Sequence, residues 1–86
     1  MEKAYVVLNP TGIHARPAKK IVEAAKICEG TVYLEKGGRK VNAKSLVNVL
    51  SIGAKQNETV TVSAEGKKAE EAVAAIGAVL SAAEAE

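Results

Sequence analysis

The sequence predicts an α+β fold: an antiparallel sheet with helices on one face and water on the other. Three observations predict it. Segments of strand and helix character follow one another as strand, helix, strand, strand, helix, strand, helix. The strand segments alternate, with Val, Leu or Ala on one side and Thr, Ser or charged residues on the other, as half-buried strands do. The two longer helical segments each carry a single apolar stripe, so they have one face to bury and one to leave in water.

The first strand spans Glu2 to Leu8, rich in Val, Leu and Tyr, and stops at the turn dipeptide Asn9-Pro10. Thr11-Gly12 continues the loop. A helix is predicted from Ala15 to Cys28. Ala18, Ile21, Val22, Ala25 and Cys28 form its buried stripe, and Lys19, Lys20, Glu23 and Lys26 face water. Pro17 fits the first turn, where a missing N–H is harmless. Gly30 stands where a left-handed helix stop belongs.

Thr31 to Lys36 and Arg39 to Ala43 pair across a Gly37-Gly38 hairpin turn, with Val32, Leu34 and Val41 inward. Ser45 is a favoured N-cap for the short helix Leu46-Val47-Asn48-Val49-Leu50, which ends near Gly53. Its apolar residues run nearly all the way round. So short a helix cannot bury every side, and an exposed apolar patch marks a partner surface. Thr59 to Ala64 is the last strand, with Val60, Val62 and Ala64 inward. A final helix runs from Lys68 to Ala83 on the stripe Ala69, Ala72, Val73, Ile76, Val79, Leu80 and Ala83.

Eighty-six residues make one domain, 1–86. A chain this short buries roughly 60% of its unfolded surface. With no Trp or Phe, its core must be aliphatic. A net charge of +2 is too mild to argue for nucleic acid, and no aromatic platform accompanies the pairs Lys19-Lys20, Arg39-Lys40 and Lys67-Lys68. No signal peptide or membrane-length apolar run is evident, so a cytoplasmic protein is expected. The one cysteine, Cys28, reads as a buried structural thiol. No Cys/His cluster suits a metal, no phosphate-binding loop of the Gly-x-x-x-x-Gly-Lys type is present, and no carboxylate is evident to orient a Ser45–His14 pair. No cofactor is expected.

The one histidine, His14, falls where a loop meets a helix. A helix start is an anion site, because its first amides and the positive end of the helix dipole both favour a phosphate. Neutral imidazole is a nucleophile that forms covalent intermediates. The amides of Ala15 and Arg16 and the planar guanidinium of Arg16 suit phosphate oxygens. The plainer reading is a histidine that caps its helix, with Arg16 a surface residue.

The segment Gly12-Ile13-His14-Ala15-Arg16-Pro17-Ala18 resembles the active-site segment of HPr, the histidine-containing phosphocarrier family of the phosphoenolpyruvate-dependent sugar phosphotransferase system. Val41-Asn42-Ala43-Lys44-Ser45-Leu46 resembles the segment around that family's regulatory serine. The resemblance spans the chain and implies an open-faced β-sandwich, βαββαβα, with three helices on one face of a four-stranded antiparallel sheet. It implies a stoichiometric carrier rather than an enzyme. His14 would take a phosphoryl group on Nδ1 from enzyme I, with Arg16 stabilising it and Thr11, Ala15 and Pro17 shaping the phosphate's surroundings, and pass it to enzyme II A domains. Ser45 would be the target of HPr kinase/phosphorylase. Leu46, Val47 and Leu50, with Lys19 and Lys20, would dock partners, a carbon-control transcription factor among them. Val47 takes a place often held by Met or Phe, which makes the docking patch smaller and flatter.

Alternatives are a regulatory binding module acting through Ser45 and transcription-factor docking, a nitrogen-branch phosphocarrier, and a small RNA- or ligand-binding domain in which the His14 motif is coincidence. A monomer with transient partners is expected.

Overall fold

In a computed structural model that describes residues 1–82, the chain forms seven elements. They are β1 (Glu2–Val6), α1 (Ala15–Ala25), β2 (Thr31–Lys36), β3 (Arg39–Asn42), α2 (Leu46–Ser51), β4 (Thr59–Glu65) and α3 (Ala69–Leu80). The strands make one sheet in the order β1-β4-β2-β3, with every neighbouring pair antiparallel. The fold class and element order expected from the sequence are those observed.

Alternation dictates which side of the sheet is covered. Val32, Leu34, Val41, Val60, Val62 and Ala64 all point inward and are buried. They meet Ala18, Ile21, Val22 and Ala25 of α1, Val49 of α2, and Ala72, Val73, Ile76 and Leu80 of α3 in one aliphatic core. Full burial of each Val, Leu or Ile contributes about 1.5–3 kcal/mol. Thr59, Thr61 and Ser63 line the other, open face, where β-branched and polar side chains tolerate water. Tyr5 packs against the core from β1. Its ring lies against Gly77 of α3, and its hydroxyl donates to the Val73 carbonyl at 3.4 Å.

Several boundaries shift from expectation, each for a local reason. β1 ends at Val6 rather than Leu8. Val6 is the last residue in register with β4, opposite Thr59, and beyond it Leu8 N–H turns to the Leu80 carbonyl of α3. α1 ends at Ala25 rather than Cys28. Ile27 and Cys28 bond three residues back, to Ala24 and Ala25, and this tighter turn still swings Cys28 into the core. The Cys28 thiol is buried as expected, donating to the Glu65 carbonyl and accepting from Gly30 N–H. β3 stops at Asn42, one residue early, and β4 runs one residue further, to Glu65. α3 begins at Ala69, because Lys68 takes a left-handed conformation (φ +65°) ahead of it. Ala83 lies outside the described residues.

Gly30 is not a left-handed helix stop, since it is absent from the positive-φ glycines. It is glycine because the β4–α3 turn passes over it. A Cβ at Gly30 would collide with the Glu65 carbonyl oxygen.

Candidate functional site

The loop before α1 is built from its own short polar side chains. Asn9, buried to 5% exposure, turns its Oδ1 to accept from both Thr11 N–H (3.0 Å) and the Thr11 hydroxyl (2.8 Å). Gly12 N–H donates to the Asn9 carbonyl at 2.9 Å, which closes the turn. Gly12 then adopts φ +69°, lying so close to Ala54 that a Cβ would be 2.6 Å from its carbonyl oxygen. The next residue, Ile13, is buried and donates its N–H to that same carbonyl at 3.0 Å. The segment that follows α2 therefore fixes the residue immediately before His14.

His14 is the N-cap of α1, in an extended conformation (φ −109°, ψ −167°). Its carbonyl accepts from Ala18 N–H at 2.9 Å, the first bond of the helix ladder. His14 and Arg16 thus stand where the plainer reading puts them, at the N-cap and on the surface, but the imidazole makes no capping bond. The ring is half-buried, and its Nε2 is enclosed without a hydrogen-bond partner among the described residues. An unpaired buried nitrogen is unfavourable to keep. The amides of Ala15 and Arg16 precede the ladder that Ala18 N–H begins. Pro17, next in line, has no N–H to offer and is buried against the core. Arg16 is exposed in the first turn, as are Lys19 and Lys20 in the next.

Of the residues singled out in the sequence, Thr11, His14, Ala15, Arg16 and Pro17 thus share one loop-to-helix corner. Thr11 shapes that corner through Asn9, which sequence reasoning treats only as a turn signal. The spacing of Asn9 to Thr11, two residues on, is the mark of a side-chain-closed turn.

The second group lies on α2. The Ser45 hydroxyl accepts from Asn48 N–H at 3.4 Å, as the N-cap expectation required. Val49 is buried, while Leu46, Val47 and Leu50 are exposed, Val47 most of all at 75%. The apolar patch predicted from the all-round pattern is present. α2 packs against α1, and the segment beyond its C-terminal end meets the His14 corner through the Ala54 carbonyl. Lys44, beside Ser45, reaches back to donate to the carbonyls of Cys28 (2.8 Å) and Gly30 (2.7 Å).

A polar cleft of about 250 Å³ opens elsewhere, on the uncovered face of the sheet, lined by Tyr33, Lys40 and Glu65 among others. Lys40 Nζ stands 5.0 Å from the centre of the Tyr33 ring there. Among the described residues no helix is long and apolar enough to cross a membrane.

Comparison with known proteins gives concordant results. The family described as PTS HPr component phosphorylation site matches residues 1–82. The fold is similar to that of HPr-C-His from Thermoanaerobacter tengcongensis, with 39% identity and a TM-score of 0.86 over 93% of this chain and 90% of that one. It is similar to the phosphocarrier protein HPr of Bacillus anthracis str. Ames, with 34% identity and a TM-score of 0.80 over 93% and 95% of the two chains. It also resembles Crh, the Bacillus subtilis catabolite repression containing protein, a swapped dimer, with 38% identity and a TM-score of 0.72 over 83% and 82%.

Proposed function

The chain belongs to the HPr family of phosphotransferase-system phosphocarriers, and on that premise we propose that it carries a phosphoryl group on His14 between phospho-enzyme I and the enzyme II A domains of sugar uptake. One observation carries the assignment. His14 heads α1 with its Nε2 closed off from solvent and its side chain unused for capping. The enclosure of Nε2 favours Nδ1, the nitrogen that the family resemblance implies, as the acceptor. Its lone pair attacks phosphorus, the N–P bond forms, and the bond to the donor breaks. The new phosphate oxygens meet the amides of Ala15 and Arg16, the positive end of the helix dipole and the Arg16 guanidinium. Thr11 and Pro17 hold the corner. No cofactor enters this transfer.

Donor and acceptor proteins dock on Leu46, Val47 and Leu50, with Lys19 and Lys20 on the adjoining helix supplying charge. This small patch suits fast exchange between transient partners. Ser45 is the control point. Phosphate at an N-cap is favourable to its helix, and a dianion beside the docking patch repels acidic partners and recruits a basic one. HPr kinase/phosphorylase would install it and a carbon-control transcription factor would read it. The similarity to Crh favours this second output. The protein works as a single-domain cytoplasmic monomer, and a nitrogen-branch carrier would use the same His14 chemistry with other partners.

The deciding experiment supplies phosphoenolpyruvate and enzyme I. The expected result is an acid-labile phosphate, lost in His14→Ala and retained in Ser45→Ala. Absence of any label on the wild-type chain would overturn the carrier reading. An ATP-dependent HPr kinase should give an acid-stable phosphate that disappears in Ser45→Ala.

A further inference from the structure

We propose that the Lys36–Glu58 ion pair, remote from His14 in sequence and outside its corner, is a positioning device for the phosphoryl-accepting histidine. Ala54 is the link, because its carbonyl holds Ile13 N–H at 3.0 Å and abuts Gly12. Ala54 lies in an irregular stretch between α2 and β4 with no helix or strand ladder to fix it. Backbone bonds hold its two ends, from Gly53 N–H to the Leu50 carbonyl at 3.3 Å and from Glu58 N–H to the Lys55 carbonyl at 3.1 Å, and two side chains add to them, one on either side of Ala54. The Gly53 carbonyl accepts from Lys36 Nζ at 3.2 Å. Lys55 N–H donates to Glu58 Oε1 at 2.6 Å. The same Glu58 Oε1 meets Lys36 Nζ at 3.0 Å. One ammonium and one carboxylate therefore bridge the two peptide groups flanking Ala54 and close the bridge on each other.

Arg39, at the other end of the same hairpin turn, anchors the stretch one step earlier. Its guanidinium donates to the Ser51 carbonyl at 2.7 Å and to the Ser51 hydroxyl at 3.0 Å. The β2–β3 turn thus clips residues 51–55 in place. Those residues present the Ala54 carbonyl to Ile13, and Ile13 sets where His14 begins its helix.

An exposed ion pair contributes little to stability. Its consequence here is geometric, because small misplacement of a reacting group is costly to rate. Lys36 and Glu58 bond to residues 53 and 55 and to each other, so they act on the imidazole through Ala54 and Ile13, as positioning residues. The transfer step rests on the carrier reading above. The geometry of the Ile13–Ala54 bond does not.

The test uses the full chain as Lys36→Met, Glu58→Ala and Glu58→Gln. Circular dichroism and thermal unfolding first establish that each variant folds. Amide and ring resonances in heteronuclear NMR then report the Ile13 hydrogen bond and the His14 imidazole without any phosphoryl transfer. Lys36→Met and Glu58→Ala are each expected to shift the Ile13 amide and His14 ring signals. In the assay with phosphoenolpyruvate and enzyme I, they should lower kcat about three- to tenfold with KM little changed. Glu58→Gln keeps an oxygen that accepts from both Lys55 N–H and Lys36, and should restore kcat and the wild-type resonances. Unmoved Ile13 and His14 signals in the folded Lys36→Met and Glu58→Ala variants would overturn the proposal, as would a change confined to KM. If the wild-type chain accepts no phosphate, the carrier reading fails, and the NMR arm still decides the positioning claim.

Discussion

Replacing Gly12 with alanine should loosen the fold and the His14 corner together. Gly12 lies at φ +69°, where a side chain costs about 1–2 kcal/mol. The added Cβ would stand 2.6 Å from the Ala54 carbonyl oxygen and 3.1 Å from Lys55 Cα, both backbone atoms. Relieving such overpacking costs about 1–3 kcal/mol. Movement that breaks the Ile13–Ala54 bond adds about 0.5–1.5 kcal/mol. The stiffer unfolded chain offsets roughly 0.4–1 kcal/mol. The net loss is about 2–6 kcal/mol, a large part of the stability of a domain this size. At about 4–8 °C per kcal/mol, Tm should fall by roughly 10 °C or more. Gly37→Ala is the matched control, because Gly37 has φ +57° and an added Cβ there would meet nothing within 4 Å. It incurs the same backbone term alone, about 1–2 kcal/mol, less the same unfolded-state offset. Thermal unfolding of the two variants side by side decides the matter. If Gly12→Ala loses no more Tm than Gly37→Ala, the close approach to Ala54 is not a constraint and the account of the corner is wrong.

Gly30→Ala should destabilise by about 3 kcal/mol or more, at the upper end for overpacking, since the methyl would collide with the Glu65 carbonyl and the chain at Gly66; urea titration should show a lower midpoint with an unchanged slope. Lys44→Met should lose about 1.5–3 kcal/mol by removing charged hydrogen bonds to the Cys28 and Gly30 carbonyls, and calorimetry measures it. The bond from Lys55 N–H, then Lys36, holds the Glu58 carboxyl below its ordinary value of 4.5. The native state therefore binds this proton less readily than the unfolded chain. The Glu58 contribution is present above the ordinary carboxylate range and is lost as pH falls through the depressed value. Stability curves of wild type and Glu58→Gln should accordingly differ near neutral pH and converge in acid, and curves that stay parallel down to low pH would contradict this.

Local signals carry most of the fold. The β2–β3 hairpin is legible because its alternation and its Gly37-Gly38 turn are both properties of adjacent residues. The α2 cap is legible because Ser45 and Asn48 bond within one turn. Strand order is not, because every strand shows the same two-residue alternation and nothing in it says that β4 lies between β1 and β2. Gly30 illustrates the cost of reading a tertiary demand locally. Its place after a helix stripe suits a stop, yet its missing side chain makes room for Glu65, on a distant strand. Cys28 misleads in the opposite direction, since the tightened last turn keeps the stripe going past the end of the α-helix.

The same division runs through the candidate site. The chemistry proposed for it is local, and Gly12 to Ala18 contains the histidine, the first-turn amides and the arginine. Its geometry is not, because the atom that places Ile13 is a main-chain oxygen at position 54, and a carbonyl leaves no mark on the residue type that bears it. α1 has only eleven residues, and an isolated helix shorter than about 12–15 residues is marginal in water. The motif alone would therefore keep neither its helix start nor its anion site. What places Ile13 ahead of His14 is the contact of residue 54 with the loop before it, and the side chains bonded to residues 51–55 lie on the β2–β3 turn and at Glu58, far in sequence from the motif.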